Sequence, residues 1–309
     1  MRIPRTTGWG IGLAAATACI SGVSIFVNGL VVKEFSDPVA LTGARNALVG
    51  MVLLGILLAT GGAHEVRALD RRRSTGLLAL AVIGGSIPFI LFFSGLAAAT
   101  GPGAGLIQKT MFIWVAALAI VFLGESLGIA QLVAIVALLA GTLLIGPTGA
   151  IGAGPAEAMI LVATLLWSIE VIVARRLLGR EGVSVRLATT SRMALGAVVI
   201  IGFLVVSGRT GAIVAFSLHQ WSIVALTGLL LLGYVTTWYA ALQRAPASLV
   251  TSVLVGGALV TGVLAALRTG TIPAPAVEAG LALMAIGIGL VMVAALRRAR
   301  TAPLAESTR

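Results

Sequence analysis

The chain has 309 residues, of which 59% are hydrophobic and 10% charged, and its formal net charge at pH 7 is +11. A mean hydropathy of +1.12 excludes a water-soluble surface and indicates a polytopic membrane protein. The basic excess does not indicate nucleic-acid binding, because the basic residues fall in alternate loops between apolar segments.

Ten apolar segments are each long enough to cross a hydrocarbon core of roughly 30 Å, which takes about 20 helical residues. We therefore expect an all-α polytopic membrane protein with ten transmembrane helices and no sizeable soluble domain. In chain order, the predicted spans 1 to 10 are residues 9–32, 39–60, 76–99, 103–123, 127–145, 158–178, 185–206, 222–242, 247–267 and 275–296.

The basic residues predict the orientation of these spans. Fifteen of the 21 fall on the side of the N-terminus and three on the other side, and three lie within spans. The positive-inside rule then predicts that both termini are cytoplasmic. The expected location is the inner or plasma membrane of the cell.

Polar side chains recur along span 1 at spacings of 4, 3 and 4 residues, which places them on one helical stripe. In lipid, such a stripe faces protein or a water-filled path. It either lines a cavity or packs helices together through small and hydroxylated residues. The four residues are Thr17, Ser21, Ser24 and Asn28.

A phrase in span 2 is repeated in span 7. Thr42–Leu48 and Thr189–Leu195 both read T-x-x-R-x-A-L, and their arginines, Arg45 and Arg192, are 147 residues apart. Five spans per half is an odd number, so the second half enters the membrane upside down relative to the first. We expect repeats at 1–146 and 156–309, the second ending in a short cytoplasmic tail, joined by a Gly- and Pro-rich linker at 147–155.

The inverted arrangement places Arg45 in the outer part of span 2 and Arg192 in the cytoplasmic part of span 7. A binding site shared by the two arginines is therefore not expected. Each arginine either braces a gate, by binding a loop carbonyl or a helix C-terminus in one state, or anchors its span at the lipid headgroups.

Two ionisable residues stand inside other spans. Glu170 lies near the middle of span 6, where an unpaired carboxylate is costly, and it corresponds roughly to Ser24 of span 1. It is either a proton-coupling group, a member of a structural ion pair, or a protonated, hydrogen-bonded core residue. Lys109 in span 4 either binds an anionic substrate group, neutralises Glu170, or extends to the headgroups. Whether Lys109 and Glu170 meet is not decided by the sequence.

Aromatic residues accompany Glu170 along the chain. Trp167 lies one turn before it, and Tyr234 and Trp238 share a face of span 8. They predict either an aromatic wall suited to an apolar or cationic solute, or ordinary lipid-facing and core packing.

Several segments resemble those of one known family. They are Pro38 to Leu48 with Arg45, Leu123-Gly124-Glu125, Leu165-Leu166-Trp167-Ser168, and Arg192. On these residues the chain resembles the EamA-type branch of the drug/metabolite transporter superfamily, which implies a ten-helix transporter. It departs from that family where Thr110 and Met111 stand near an expected proline, and where Arg268-Thr269-Gly270 replaces an expected Leu-Gly-Glu.

These features predict a secondary active transporter that moves a small metabolite or drug-like solute outward by alternating access, with protons as a candidate coupling ion. The alternatives are an uncoupled facilitator and a non-transporting scaffold or sensor. No enzyme motif, metal-ligand spacing or cofactor motif occurs, so no catalysis and no cofactor are expected. The expected partners are the solute and the bilayer, and the sequence allows a homodimer as well as a monomer.

Overall fold

The computed structural model describes residues 5–99, 104–146, 154–270 and 273–301. In those residues it is helical, with no strand. Nine helices of the described part are long and apolar enough to cross a membrane, and a tenth, Ile129–Ile145, is apolar but has 17 residues. The predicted all-α polytopic fold is confirmed.

The observed spans follow the predicted order. Spans 1 to 5 are Arg5–Val31, Pro38–Ala59, Arg71–Ala98, Gly105–Leu123 and Ile129–Ile145. Spans 6 to 10 are Pro155–Gly179, Val185–Val206, Leu218–Arg244, Ala247–Thr269 and Pro275–Thr301. Short helices Val32–Glu34, Ala63–Arg67 and Gly211–Val214 lie between them.

Some helices begin earlier than hydropathy predicts, because polar caps start them outside the apolar stretch. Asp70 accepts a hydrogen bond from the Arg73 backbone N–H (2.7 Å) and starts span 3, and Ser217 caps span 8. Gly154, in the predicted linker, caps span 6. Residues 147–153 of that linker, and 302–309 of the predicted tail, lie outside the described residues.

The packing of the spans repeats when the two halves are exchanged. Span 1 packs against spans 8 and 9, and span 6 packs correspondingly against spans 3 and 4. Spans 2 and 7 pack against each other, as do spans 5 and 10. Exchanging span 1 with span 6, span 2 with span 7, and so on, maps these contacts onto themselves, as an inverted repeat requires.

Spans 2 and 7 are joined by a salt bridge at each end, and these two salt bridges occupy equivalent places in the two halves. Asp37, which caps span 2, accepts from Arg209 Nη2 (2.6 Å) and Nε (2.8 Å) beyond the end of span 7. At the opposite end, Glu65, beyond the end of span 2, accepts from Arg186 Nη2 (2.6 Å) and from the hydroxyl of Ser184, which caps span 7.

Four spans are irregular near the centre of the molecule. Spans 3 and 7 contain π-helical turns at Leu80–Gly84 and Ser191–Leu195, which pack against each other. A Cβ on Gly85 would lie 2.1 Å from the Arg192 carbonyl oxygen, so only glycine allows this approach. Spans 4 and 9 each break between two helices, at Thr110 and at Val255–Gly256. Such irregular helix is often found at functional sites.

Candidate functional site

A cavity of about 430 Å³ lies between the two halves and is lined by residues of all ten spans. This volume is in the range of small-molecule sites. It extends from the middle of the spans to their ends away from the termini: Ile145, the last residue of span 5, and Val277, near the start of span 10, belong to its wall.

The opposite end, on the side of the termini, is closed by packing and by a carboxylate cap. Leu242, Leu249 and Val250 are fully buried there. Glu125 Oε1 accepts from the Ala247 backbone N–H (2.7 Å), and Glu125 Oε2 accepts from the Ser248 N–H (3.1 Å) and hydroxyl (2.5 Å). The loop after span 4 thus caps the start of span 9.

Glu170 and Arg192 form an ion pair in the cavity wall. The distance from Arg192 Nε to Glu170 Oε1 is 3.5 Å, and the side chains are 7% and 3% exposed. The hydroxyl of Tyr239, itself fully buried, donates to Glu170 Oε1. The Glu170 side chain lies directly on Gly84, where an added Cβ would be 2.3 Å from Glu170 Cγ.

Arg45 lines the same cavity as Arg192, contrary to the expectation that the two arginines would not share a site. Its Nη1 donates to Asn28 Oδ1 (3.2 Å), and no atom of the residues that the structure describes accepts from its buried Nε. In the described residues, neither arginine donates a hydrogen bond to a main-chain carbonyl. Both are more than nine-tenths buried.

The two arginines line the same cavity because of their depth in the membrane. Each stands seven residues after the first residue of its span, Pro38 or Val185, and a rise of 1.5 Å per residue makes this about 10 Å. A long arginine side chain covers the remaining distance to the middle of a roughly 30 Å core. Both guanidinium groups therefore reach the central cavity from opposite sides.

Lys109 also lines the cavity and is exposed. It is the last residue of the first helical segment of span 4, just before the break at Thr110. In the described part of the chain, no carboxylate forms an ion pair with Lys109. The counter-charge of Glu170 is therefore Arg192 and not Lys109 in this conformation.

The polar stripe of span 1 is divided between the cavity and helix packing. Ser21, Ser24 and Asn28 line the cavity, and Asn28 Nδ2 also donates to the Ser24 carbonyl (2.7 Å). Thr17 is fully buried outside the cavity wall, where its hydroxyl donates to the Leu13 carbonyl (2.7 Å) and to Thr237 Oγ1 (2.9 Å) of span 8.

The predicted aromatic residues line the cavity as well. The rings of Tyr234 and Trp238 are stacked, with centroids 6.0 Å apart and an interplanar angle of 11°. Trp167 packs edge-on against Phe89 (5.2 Å between centroids), and its indole N–H donates to the Gly84 carbonyl (3.2 Å).

Tyr239 and Gly84 contact Glu170 but were not among the site residues predicted from the sequence. The chain has two tyrosines, both in span 8. The second, Tyr239, is a polar side chain inside a span and could have been predicted to hydrogen-bond a buried polar group. Gly84 gave no signal, because its role is to leave room for a side chain of another span. Among the described residues, no three His, Cys, Asp or Glu side chains are grouped as a metal site requires.

A helical membrane protein made of two inverted five-span halves around a central cavity with charged and aromatic residues in its wall has the architecture of a membrane transporter. The EamA-like transporter family model matches residues 8–146 and again 154–293, so the chain belongs to this family.

Solved structures give the same fold. A crystal structure described only as that of a protein matches with a TM-score of 0.74 and 18% sequence identity, over 96% of this chain and 99% of that one. At this identity the likeness concerns the fold alone. No curated protein matches the sequence.

Proposed function

We propose that the protein is a secondary transporter that carries a small metabolite or drug-like solute out of the cell by alternating access. The observation that carries the proposal is the cavity between the two repeats, with the buried Glu170–Arg192 pair in its wall. Ionisable residues inside a membrane are costly and are by default functional hypotheses.

The proposed orientation places both termini in the cytoplasm, with the protein in the inner or plasma membrane. The support is the distribution of basic residues, 15 on the side of the termini against three on the other. In this orientation the described conformation has its cavity toward the outside and the Glu125 cap as its cytoplasmic closure.

Glu170 is the proposed proton site. When ionised, it holds Arg192 and accepts the Tyr239 hydroxyl. When protonated, it no longer neutralises Arg192, so the charge and the hydrogen bonds of the cavity wall change with each proton. The titratable groups facing Glu170 are Arg192 of span 7 and Tyr234 and Tyr239 of span 8.

The test uses inverted membrane vesicles with and without the protein, at two imposed pH gradients, and identifies the accumulated metabolites by mass spectrometry. We expect at least one solute whose accumulation requires the protein and responds to the gradient. Glu170→Gln should abolish the response to the gradient. Glu278→Gln, the same change at an exposed position near the start of span 10, should keep it.

Two results would replace this proposal with another. Protein-dependent flux that ignores the pH gradient would indicate an uncoupled facilitator. No protein-dependent flux of any solute would indicate a scaffold or sensor. Full gradient-driven transport by Glu170→Gln would remove Glu170 from the coupling mechanism.

A further inference from the structure

We propose that the transported solute is an organic anion with an apolar or aromatic body, and that Arg45 and Lys109 bind its acidic group. This inference rests on the proposed transport function. It concerns the same cavity and adds the chemical class of its substrate.

The first argument is the charge of the cavity wall. Among the described residues that line it, three are basic, namely Arg45, Lys109 and Arg192, and one is acidic, Glu170. The acidic residue is already paired with Arg192. Two positive charges therefore stand in the wall without a protein carboxylate as partner in the described residues. Lys109 is exposed, but Arg45 is buried, and a buried charge is retained only where something compensates it.

The second argument is the unsatisfied hydrogen-bonding capacity of Arg45. Its side chain is 7% exposed, yet its single protein partner in the described residues is the Asn28 side-chain oxygen, at 3.2 Å. The buried Arg45 Nε has no hydrogen-bond partner within the described part of the chain. Guanidinium groups bind carboxylates and phosphates through two parallel hydrogen bonds, so the free donors of Arg45 suit an oxyanion.

The third argument is the apolar remainder of the wall, which calls for an organic anion. Beside the stacked rings of Tyr234 and Trp238, the wall contains Met111, Val255, Leu281 and Met284. These side chains suit the hydrophobic body of a solute, while an inorganic anion would leave them facing water. The aromatic residues were first interpreted as a wall for an apolar or cationic solute. A cation is now disfavoured, because it would be repelled by Arg45 and Lys109.

The experiment compares four probes that share a phenyl ring and differ in charge. They are 3-phenylpropionate (anion), phenylalanine (zwitterion), phenethylamine (cation) and 3-phenylpropanol (neutral). Binding to the purified full-length protein is measured by calorimetry and by the fluorescence of the cavity tryptophans. We expect the anion to bind more tightly than each of the others by about tenfold or more, which is the gain from one charge-assisted contact.

Three variants assign this selectivity to residues. Arg45→Gln and Lys109→Gln should each weaken binding of the anion by about tenfold or more and leave the neutral probe unaffected. Lys109→Arg should restore binding, because it keeps the charge. Lys33→Gln, at the chain's other lysine, is the matched control and should bind like the wild type, because Lys33 is exposed outside the cavity wall.

The inference is overturned if the cation, the zwitterion or the neutral probe binds as tightly as the anion, or if both glutamine variants keep the wild-type affinity. The vesicle experiment separates this failure from failure of the transport function. Protein-dependent solutes that are all neutral or cationic would overturn the anion class and keep the transporter. No protein-dependent solute at all would overturn the transporter itself.

Discussion

At the scale of single residues, the site depends on a buried charge pair and on the space that a glycine leaves for it. The Glu170 carboxylate has one cation, Arg192, and one hydroxyl donor, Tyr239, and it has no room to move toward span 3 because it lies on Gly84. Charge, hydrogen bonding and steric fit can therefore be perturbed separately, each by one substitution.

The first prediction concerns steric fit. Gly84→Ala would place a Cβ 2.3 Å from Glu170 Cγ and displace the carboxylate without altering any charge. We expect the rate of gradient-driven transport to fall roughly 10- to 100-fold, because small misplacements of reacting groups lower rates by such factors. Gly202→Ala is the control, because an added Cβ there meets nothing within 4 Å. Wild-type transport rates in Gly84→Ala vesicles would contradict the predicted positioning of Glu170.

The second prediction concerns the charge pair. Removing one partner leaves the other buried and unpaired, which costs about 3–5 kcal/mol. Glu170→Gln and Arg192→Gln should each lower the free energy of unfolding in detergent by this order. The double variant should cost less than the sum, because neither member of the pair is then left as an unpaired charge. Strictly additive losses would show that the two side chains do not interact.

At the scale of helices, the carboxylate cap of span 9 distinguishes the two repeats. Span 4 ends at Gly124 (φ 70°) and span 9 at Gly270 (φ 65°), so these glycines stand at equivalent places in the two repeats. The residue after the first is Glu125, which caps span 9, and the residue after the second is Thr271. By sequence, a carboxylate follows this glycine in one repeat only, which favours closure on the side of the termini.

The third prediction tests this closure. Glu125→Ala removes the cap of span 9 and should weaken the closed state by about 1–2 kcal/mol, or roughly 5- to 30-fold in population. The measurement is the rate at which an impermeant thiol reagent, added on the side of the termini, labels Val250→Cys in a Cys19→Ser background. Val250 is fully buried behind the cap, so labelling should accelerate by a similar factor.

The control for the cap experiment is Glu157→Ala. Glu157 Oε2 accepts from the Gly154 backbone N–H (3.1 Å) and so caps span 6 at the opposite end of the molecule. The Glu157→Ala substitution should leave the rate of Val250→Cys labelling unchanged. Equal acceleration by both substitutions would mean that losing any helix cap loosens the protein, and the specific role of Glu125 would be lost.

At the scale of the whole molecule, hydropathy and the repeated phrase of spans 2 and 7 were enough to predict the number of spans and their inverted order. They were not enough to predict the site. The inverted topology placed Arg45 and Arg192 on opposite sides of the membrane and predicted no shared site, whereas their depth brings both to one cavity. The contact of Glu170 with Tyr239 depends on how spans 6 and 8 cross, and the π-helical turns depend on the packing of spans 3 and 7, neither of which a linear pattern contains.

The last prediction joins the proton site to the proposed anion. Protonation of Glu170 frees Arg192 and adds a positive charge to the cavity, so proton and anion should bind cooperatively and cross together. A monoanion that leaves with one proton carries no net charge, so its export is driven by its own outward concentration gradient and opposed by an inward proton gradient. An imposed membrane potential without a pH gradient should not drive its transport in proteoliposomes. In Glu170→Gln the anion crosses alone, and a potential of about 100 mV, worth about 2.3 kcal/mol per charge, should then produce an accumulation of about 50-fold. Potential-driven accumulation by the wild type would show that the anion moves without the proton.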